Sequence, residues 1–416
     1  MNACTIVARN YLAYARVLAT SYARQHPGER LSVLVIDGDV TRFDGGPEPF
    51  ETIVPSQLPL PADELRTMAS IYDVMELATA VKPFFLRFLL DRGADTVMYL
   101  DPDIEVFAPL HELGRLAQAH AIVIIPHMLR PVPPDGRRPA QADLAASGVF
   151  NLGFIALSAD TDSFLEWWGA CLRRDCLVAL DKQLFVDQRL LDFLPAFFTP
   201  YILRDPAYNV AYWNLHERRV TWTGQRYEVE GKPLRFFHFS GFTPTIPHVL
   251  SKHQGTAPRI VLGEEPDLAR LCREYAQHLL AAGYDDCTTI PYGFANTANG
   301  VPFDRRMRWL YREALLVAER GAGALPPAPL DPAQAEAFVR WSQQERTLEA
   351  LPARERAAVL IQESPHLGSR SALVRLVQRA LLRLLRPLLN HERSVARALL
   401  QSVDELSSDR DGQNAR

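Results

Sequence analysis

An apolar run that stops at two carboxylates constrains this chain more than any other stretch. In TVMYLDPDIEVF, residues 96–107, the segment from Val97 to Leu100 is too short and too continuously apolar for an amphipathic helix, which predicts a buried central strand. Pro102 ends the ladder. Ligand sites in open α/β sheets lie beyond the carboxyl ends of strands. Asp101 and Asp103 fall there, two oxygen donors suited to a hard divalent cation. An isolated Asp-x-Asp is as readily a solvated turn, so the weight of this one comes from its neighbours.

Those neighbours read as an α/β chain. Residues 4–8 form a first strand, Leu12, Ala15, Leu18, Ala19 and Tyr22 recur at helical spacing up to Pro27-Gly28, and residues 31–36 form the next strand. This βαβ unit predicts parallel pairing and a nucleotide-sized crevice, with Asn10 and Tyr11 on its carboxyl edge. Residues 37–61 read as loop with a short strand at 52–54, and residues 63–91 as helix interrupted at Pro83. Residues 109–118 and 163–173 are helical, while 121–125, 150–157 and 234–239 are strands. A helix over 184–194 carries Asp187 and Gln188. The four prolines and three arginines of RPVPPDGRRP, residues 130–139, have almost nothing to bury and predict a mobile loop, suited to a lid over a site.

With 416 residues, 48% hydrophobic and 23% charged, the chain is of globular type. Its net charge of -4 gives no global reason to expect nucleic acid or membrane. Five cysteines, odd in number and without metal-ligand spacing, read as reduced thiols of a cytoplasmic protein, and neither a secretory leader nor a transmembrane span is expected. The clearest linker is GAGALPPAPLDP at 321–332. The domain reading is therefore a catalytic domain over 1–320, with its core at 1–255 and an extension at 256–320, then a helical region at 333–406 and a disordered tail at 407–416.

The order of motifs resembles the GT-A fold nucleotide-sugar transferases, most closely glycosyltransferase family 8 and its bacterial relatives, over roughly residues 5–252. The family's strand-end Tyr-Leu-Asp-x-Asp matches Tyr99 to Asp103, its Phe-Asn-x-Gly matches Phe150-Asn151-Leu152-Gly153, and its Asp-Gln pair matches Asp187-Gln188. Tyr208-Asn209 follows, and the family's His-x-x-Gly matches His238 to Gly241. The resemblance implies a Rossmann-like, GT-A domain and a metal-dependent transfer from a nucleotide-sugar donor, UDP-linked, to a glycan or lipid-linked acceptor of the cell envelope. It implies Mn²⁺ or Mg²⁺ held by Asp101, Asp103 and His238, and nucleotide contacts from Ala8, Asn10 and Tyr11. Donor-sugar contacts would come from Asn151, Gly153, Asp187 and Gln188, with retention and Asp187 or Gln188 nearest the anomeric carbon. Gly241 belongs to the diphosphate side. The family's Lys three residues beyond that glycine is here Pro244, so Lys252 is the substitute, and Lys82 a second cation.

Each motif has a plainer reading beside it. A histidine in RFFHFSGF is ordinarily a buried structural residue, Asp187 a helix-surface charge, Asn151 a strand-end cap, and Lys82 before Pro83 a helix start. YGFANTANGVPF reads as a turn capping the helical appendage or as an acceptor or phosphate contact. Arg375, Arg379, Arg383 and Arg386 line one face of a leucine-rich helix, which suits peripheral contact with an anionic membrane or packing in a bundle or dimer. An inactive scaffold acting through those helices is the rival to the enzyme. A sugar-1-phosphate nucleotidyltransferase would open with a glycine-rich phosphate loop, which ARNYLAY lacks. The acidic chain argues against nucleic acid.

Overall fold

The computed structural model describes residues 1–39 and 47–343. The chain divides into two compact units, Met1–Asn296 and a second from Thr297 onward. In the first, seven strands form one sheet: β1 (Asn2–Val7), β2 (Ser32–Val35), β3 (Glu51–Ile53), β4 (Thr96–Leu100), and, past a short β5 (Ile104–Val106) outside it, β6 (Ile122–Ile124), β7 (Phe154–Ser158) and β8 (Tyr201–Ile202). Their order is β8-β6-β7-β4-β1-β2-β3, parallel except for β7, which runs against both its neighbours. The chain is thus the mixed α/β type expected, and β4 is its central strand. All five β4 residues are buried, paired with β1 on one side and β7 on the other.

Alternation along β4 divides its side chains between two layers. Met98 and Leu100 join Leu12, Ala15, Leu18 and Tyr22 of helix Leu12–Gln25 in one core. Tyr99 points the other way, under Lys82, the first residue of helix Lys82–Asp91, which packs on helix Asp162–Asp175. The helical stretch at 63–91 breaks twice. Pro83 opens one helix, and Asp73 caps another by accepting from Met75 N and Glu76 N while Glu76 Oε2 accepts from Asp73 N.

Two local expectations are corrected. Residues 184–194 are not one helix: a two-residue strand, Leu184–Phe185, leads through Val186 at φ 42° to Asp187 and Gln188, and a 3-10 turn begins at Arg189. Bonds from Asp187 and Gln188 into the protein interior hold this kinked path against the helical propensity of the leucines. The segment 130–139 has no helix or strand, as expected, but it is pinned rather than free, because Val132 is buried and Arg259 binds across it.

The second unit is built on helix Arg305–Glu319, capped by Asp304 through Met307 N at 2.8 Å, and helix Ala335–Ser342, whose Phe338 meets Phe303 and Tyr311 edge-on. Pro329 O accepts from Ala298 N, so the end of the proline-rich linker stretch is held within this unit. The leucine-rich helix with Arg375, Arg379, Arg383 and Arg386, and the tail at 407–416, lie outside the described residues. Among the described residues no helix is long and apolar enough to cross a membrane.

Candidate metal and donor site

The site forms because one short antiparallel pair returns a distant segment to the end of β4. Chain reversal at Asp101-Pro102-Asp103 leads into β5, which pairs with β9 (Phe236–His238) so that His238 lies opposite Ile104. Phe239 N donates to Asp103 O at 2.8 Å, and Asp101 N donates to Gly153 O at 2.8 Å. Because β7 is antiparallel, its first turn meets the carboxyl end of β4, which is how Asn151 and Gly153 arrive at the same edge.

Asp101, Asp103 and His238 come together. His238 Nε2 is 3.0 Å from Asp103 Oδ1 and 3.6 Å from Asp101 Oδ2. Tyr99 OH donates to Asp101 Oδ1 at 2.8 Å, fixing that carboxylate. Burial pushes the Asp101 carboxyl up from its ordinary value, opposed by the charges of Lys82 and His238. Burial pulls His238 down, but Asp103 and Asp101 outweigh it and the net shift is upward. Two carboxylate oxygens and one imidazole nitrogen, all within 4.8 Å of one another, make a donor set that fits a divalent cation. His238 Nδ1 is buried with no partner among the described residues, and Nε2 is the nitrogen that faces the two carboxylates.

Gly153 is what lets the imidazole sit there. A Cβ on it would stand 2.4 Å from His238 Cε1 and 2.9 Å from Asn151 Oδ1, closer than real side chains approach. Gly241 plays a similar part on the far side, at φ 73°, with its added Cβ 2.5 Å from His253 Cδ2. Its carbonyl accepts from Lys252 N at 3.0 Å, leaving the Lys252 side chain exposed.

Lys82 is not placed as a free cation. It is 2% exposed, and its ammonium donates to Asp187 Oδ2 at 2.7 Å and Leu152 O at 3.0 Å, above the Tyr99 ring. Its long side chain runs inward, and the nearest unmatched charge there is Asp187. Burial pushes the Asp187 carboxyl up to about 6, with Lys82 opposing and Asp101 adding to the rise.

The amides of Asn151, Gln188 and Asn209 are largely bonded to one another. Gln188 Oε1 accepts from Asn151 Nδ2 and Leu152 N, both at 3.1 Å, and Gln188 Nε2 donates to Ser147 O at 2.8 Å. Asn151 Oδ1 accepts from Asn209 Nδ2 at 3.0 Å. This leaves one N–H of Gln188 and one oxygen of Asp187 beyond the bonds described.

Tyr11, 43% exposed, stacks on Tyr14 at 4.6 Å, and its hydroxyl is pushed up to about 12 by burial and then by Asp103 and Tyr284. Asn10 Oδ1 is a buried acceptor with no partner among the described residues. Ala8 precedes the short turn Arg9–Tyr11, whose Arg9 N donates to Asp37 Oδ1 at 3.0 Å. Asp37, fully buried, also accepts from Gly293 N at 3.0 Å, so the YGF segment is tied to the Arg9–Tyr11 turn through this carboxylate.

Sequence reasoning missed Asp37, His127, Trp213 and Asn214. Asp37 follows an apolar run directly, the signal that singled out Asp101, and His127 follows one after Pro126. His127 Nδ1 lies 3.3 Å from Val149 O and Nε2 3.4 Å from Asn151 Nδ2, and burial first of all holds the imidazole down to about 4. Trp213 meets both His127 and His238 edge-on, and Asn214 Nδ2 donates to His127 O and Asn209 O. Nothing local in the sequence marks those two.

A second cluster, His26, Glu29 and His111, also has metal-ligand proximity. Leu110 N donates to His26 Nε2 at 3.0 Å, so the neutral ring carries its proton on Nδ1, the atom that faces Glu29. That ring has no lone pair left for a metal.

No family model matches this chain. An uncharacterized protein of Bacillus subtilis (strain 168), YfnF, is 27% identical over 255 residues, spanning 58% of this chain and 80% of that one. Among solved structures, the galactosyltransferase LgtC in complex with donor and acceptor sugar analogues is 17% identical, covering 67% of this chain and 95% of its own, at a TM-score of 0.36. A glycosyltransferase involved in the glycosylation of the major capsid of PBCV-1 is 12% identical, covering 68% of this chain and 100% of its own, at a TM-score of 0.34. Likenesses at such TM-scores carry nothing about activity. The structural neighbours of this chain are GT-A glycosyltransferases, LgtC among them.

Proposed function

We propose that this chain is a divalent-cation-dependent glycosyltransferase that takes a sugar from a nucleoside diphosphate donor, UDP-linked, and passes it with retention to a glycan or lipid-linked acceptor of the cell envelope. The observation that carries the reading is the convergence of Asp101, Asp103 and His238 at the carboxyl end of the central strand. The mixed oxygen and nitrogen donor set favours Mn²⁺ over Mg²⁺. When bound, such an ion supplies Lewis-acid neutralisation of the negative charge that develops on the leaving diphosphate.

The chain's own residues divide the remaining work. Tyr99 holds Asp101 in place for the cation, and Gly153 gives the His238 ring its space. Ala8, Asn10 and Tyr11 face the nucleotide, Asn10 with an acceptor already desolvated and waiting for a donor. Lys252 is the cation for the diphosphate, on a loop anchored to Gly241. Lys82 fixes Asp187 rather than touching phosphate, and Asn151 fixes Gln188. Asp187 and Gln188 then present their remaining groups to the sugar, nearest the anomeric carbon.

The test is a melting-temperature screen of UDP, GDP, TDP and CMP with and without Mn²⁺, on the wild type and Asp103→Ala. Ligand at about 100 times its Kd stabilises by about 2.7 kcal/mol, so a specific nucleotide stands out. UDP is expected to raise the wild-type midpoint only with metal, and Asp103→Ala to abolish the rise. Absence of any nucleotide response in the wild type would overturn the transferase reading.

A further inference from the structure

The proline-rich segment and the chain just beyond the Lys252 loop are joined by backbone and side-chain hydrogen bonds. Arg138 N donates to Ala257 O at 2.8 Å, and Arg259 N donates back to Arg138 O at 2.9 Å, a bridge between segments more than a hundred residues apart. The Arg259 guanidinium then passes into the loop. It binds Asp135 through both carboxylate oxygens, at 2.6 and 2.9 Å, and approaches the carbonyls of Pro133, Arg137 and Pro139 at 3.3 to 3.4 Å. Arg259 is itself 8% exposed.

Both ends of this joined structure touch the site. Toward the sugar side, Val132 and Leu144 pack with Trp213, which lies edge-on to His238, and the helix that follows ends at Ser147, whose carbonyl takes the Gln188 amide. Toward the phosphate side, Lys252 N is bonded to Gly241 O, and the neighbouring His253 ring lies over Gly241.

We propose that Arg259 is a positioning residue: through its bidentate pair with Asp135 it binds residues 130–139 and 252–259 into one strap, so that the Lys252 and His253 side chains stand over the diphosphate of the donor. Arginine suits the task because its planar fork satisfies a carboxylate and several carbonyls at once, which a lysine cannot. The inference rests on the transferase reading for its ligand, a nucleoside diphosphate, and on the structure alone for the strap.

The experiment uses the full chain as wild type, Arg259→Met, Asp135→Ala and Asp135→Glu. Hydrogen exchange followed by mass spectrometry reads peptides covering 130–139 and 252–260, and calorimetry reads UDP affinity with saturating Mn²⁺. In Arg259→Met and Asp135→Ala both peptides are expected to lose protection together, with UDP affinity down at least tenfold and the melting midpoint of the protein little changed. Asp135→Glu, which keeps a carboxylate, is expected to retain most of the affinity. Should Arg259→Met fold poorly, Asp135→Ala decides, since it alters only the exposed end of the pair. Loosening confined to 130–139, or loosening of both segments with UDP affinity unchanged, overturns the positioning role and leaves the transferase reading standing. A wild type that binds no UDP overturns both.

Discussion

Replacing Gly153 by alanine isolates the geometry of the candidate metal centre from its chemistry, because it adds one methyl group and removes no ligand. The Gly153 backbone lies outside the left-handed region, so alanine meets no conformational penalty. What it meets is His238, 2.4 Å from Cε1 and 2.7 Å from Nδ1, against ordinary contact at 3.4 Å. The ring must therefore shift by about 1 Å, and the buried Trp213 edge and Asn151 amide leave it little room. Overpacking of this kind costs about 1–3 kcal/mol. The 3.0 Å approach of His238 Nε2 to Asp103 cannot survive such a shift. Titration calorimetry of Mn²⁺ into UDP-saturated protein should show at least tenfold weaker metal binding, with a melting midpoint several degrees lower. Gly263→Ala is the control, since nothing lies within 4 Å of its added Cβ. Wild-type Mn²⁺ affinity and stability in Gly153→Ala would refute the argument that His238 needs this glycine.

Two further outcomes follow from the buried pair. Lys82→Met leaves Asp187 buried without its cation and should cost about 3–5 kcal/mol in a urea melt, whereas Lys82→Met combined with Asp187→Leu should recover most of that stability without recovering transfer; equal instability of the single and double variants would sink this. Because the Asp187 pKa is raised to about 6, the folded state holds this proton more tightly than the unfolded chain, so its contribution is present at low pH and lost as pH rises through about 6. The wild type should therefore lose stability relative to the double variant between about pH 4 and 6, while sugar-nucleotide binding, which under the proposed function uses the ionised pair, should weaken below about pH 6. His127, held down to about 4 in the folded state, makes stability rise with pH across the same window, but equally in both proteins, so it cancels from the difference between them.

The sequence carried the frame of the site well, because strand ends are marked by abrupt changes from apolar to polar residues. The run ending at Asp101, and the order of the Phe-Asn, Asp-Gln and His-x-x-Gly motifs, placed residues that the structure brings to one edge of one sheet. Partnership was not legible. That Lys82 would turn inward to Asp187, or that Asn151 would spend its amide on Gln188 and Asn209, depends on contacts across long sequence separations that no local pattern encodes. The path at 184–194 failed for the same reason: its leucines suit a helix, and tertiary bonds override them. Segment 130–139 looked unanchored because its anchor, Arg259, lies 120 or more residues away.

The pairing of β5 with β9 also determines when the candidate metal centre can form. Asp101 and Asp103 emerge early, but their third companion is supplied by a strand whose partner lies about 130 residues upstream. Closing so long a loop is slow and entropically costly until surrounding structure has formed. On a nascent or partly refolded chain the two aspartates would be an ordinary acidic turn. Cation capture would therefore begin only when the last element of the sheet region has docked, and the ion would act as a seal on a finished fold rather than as a template for its assembly.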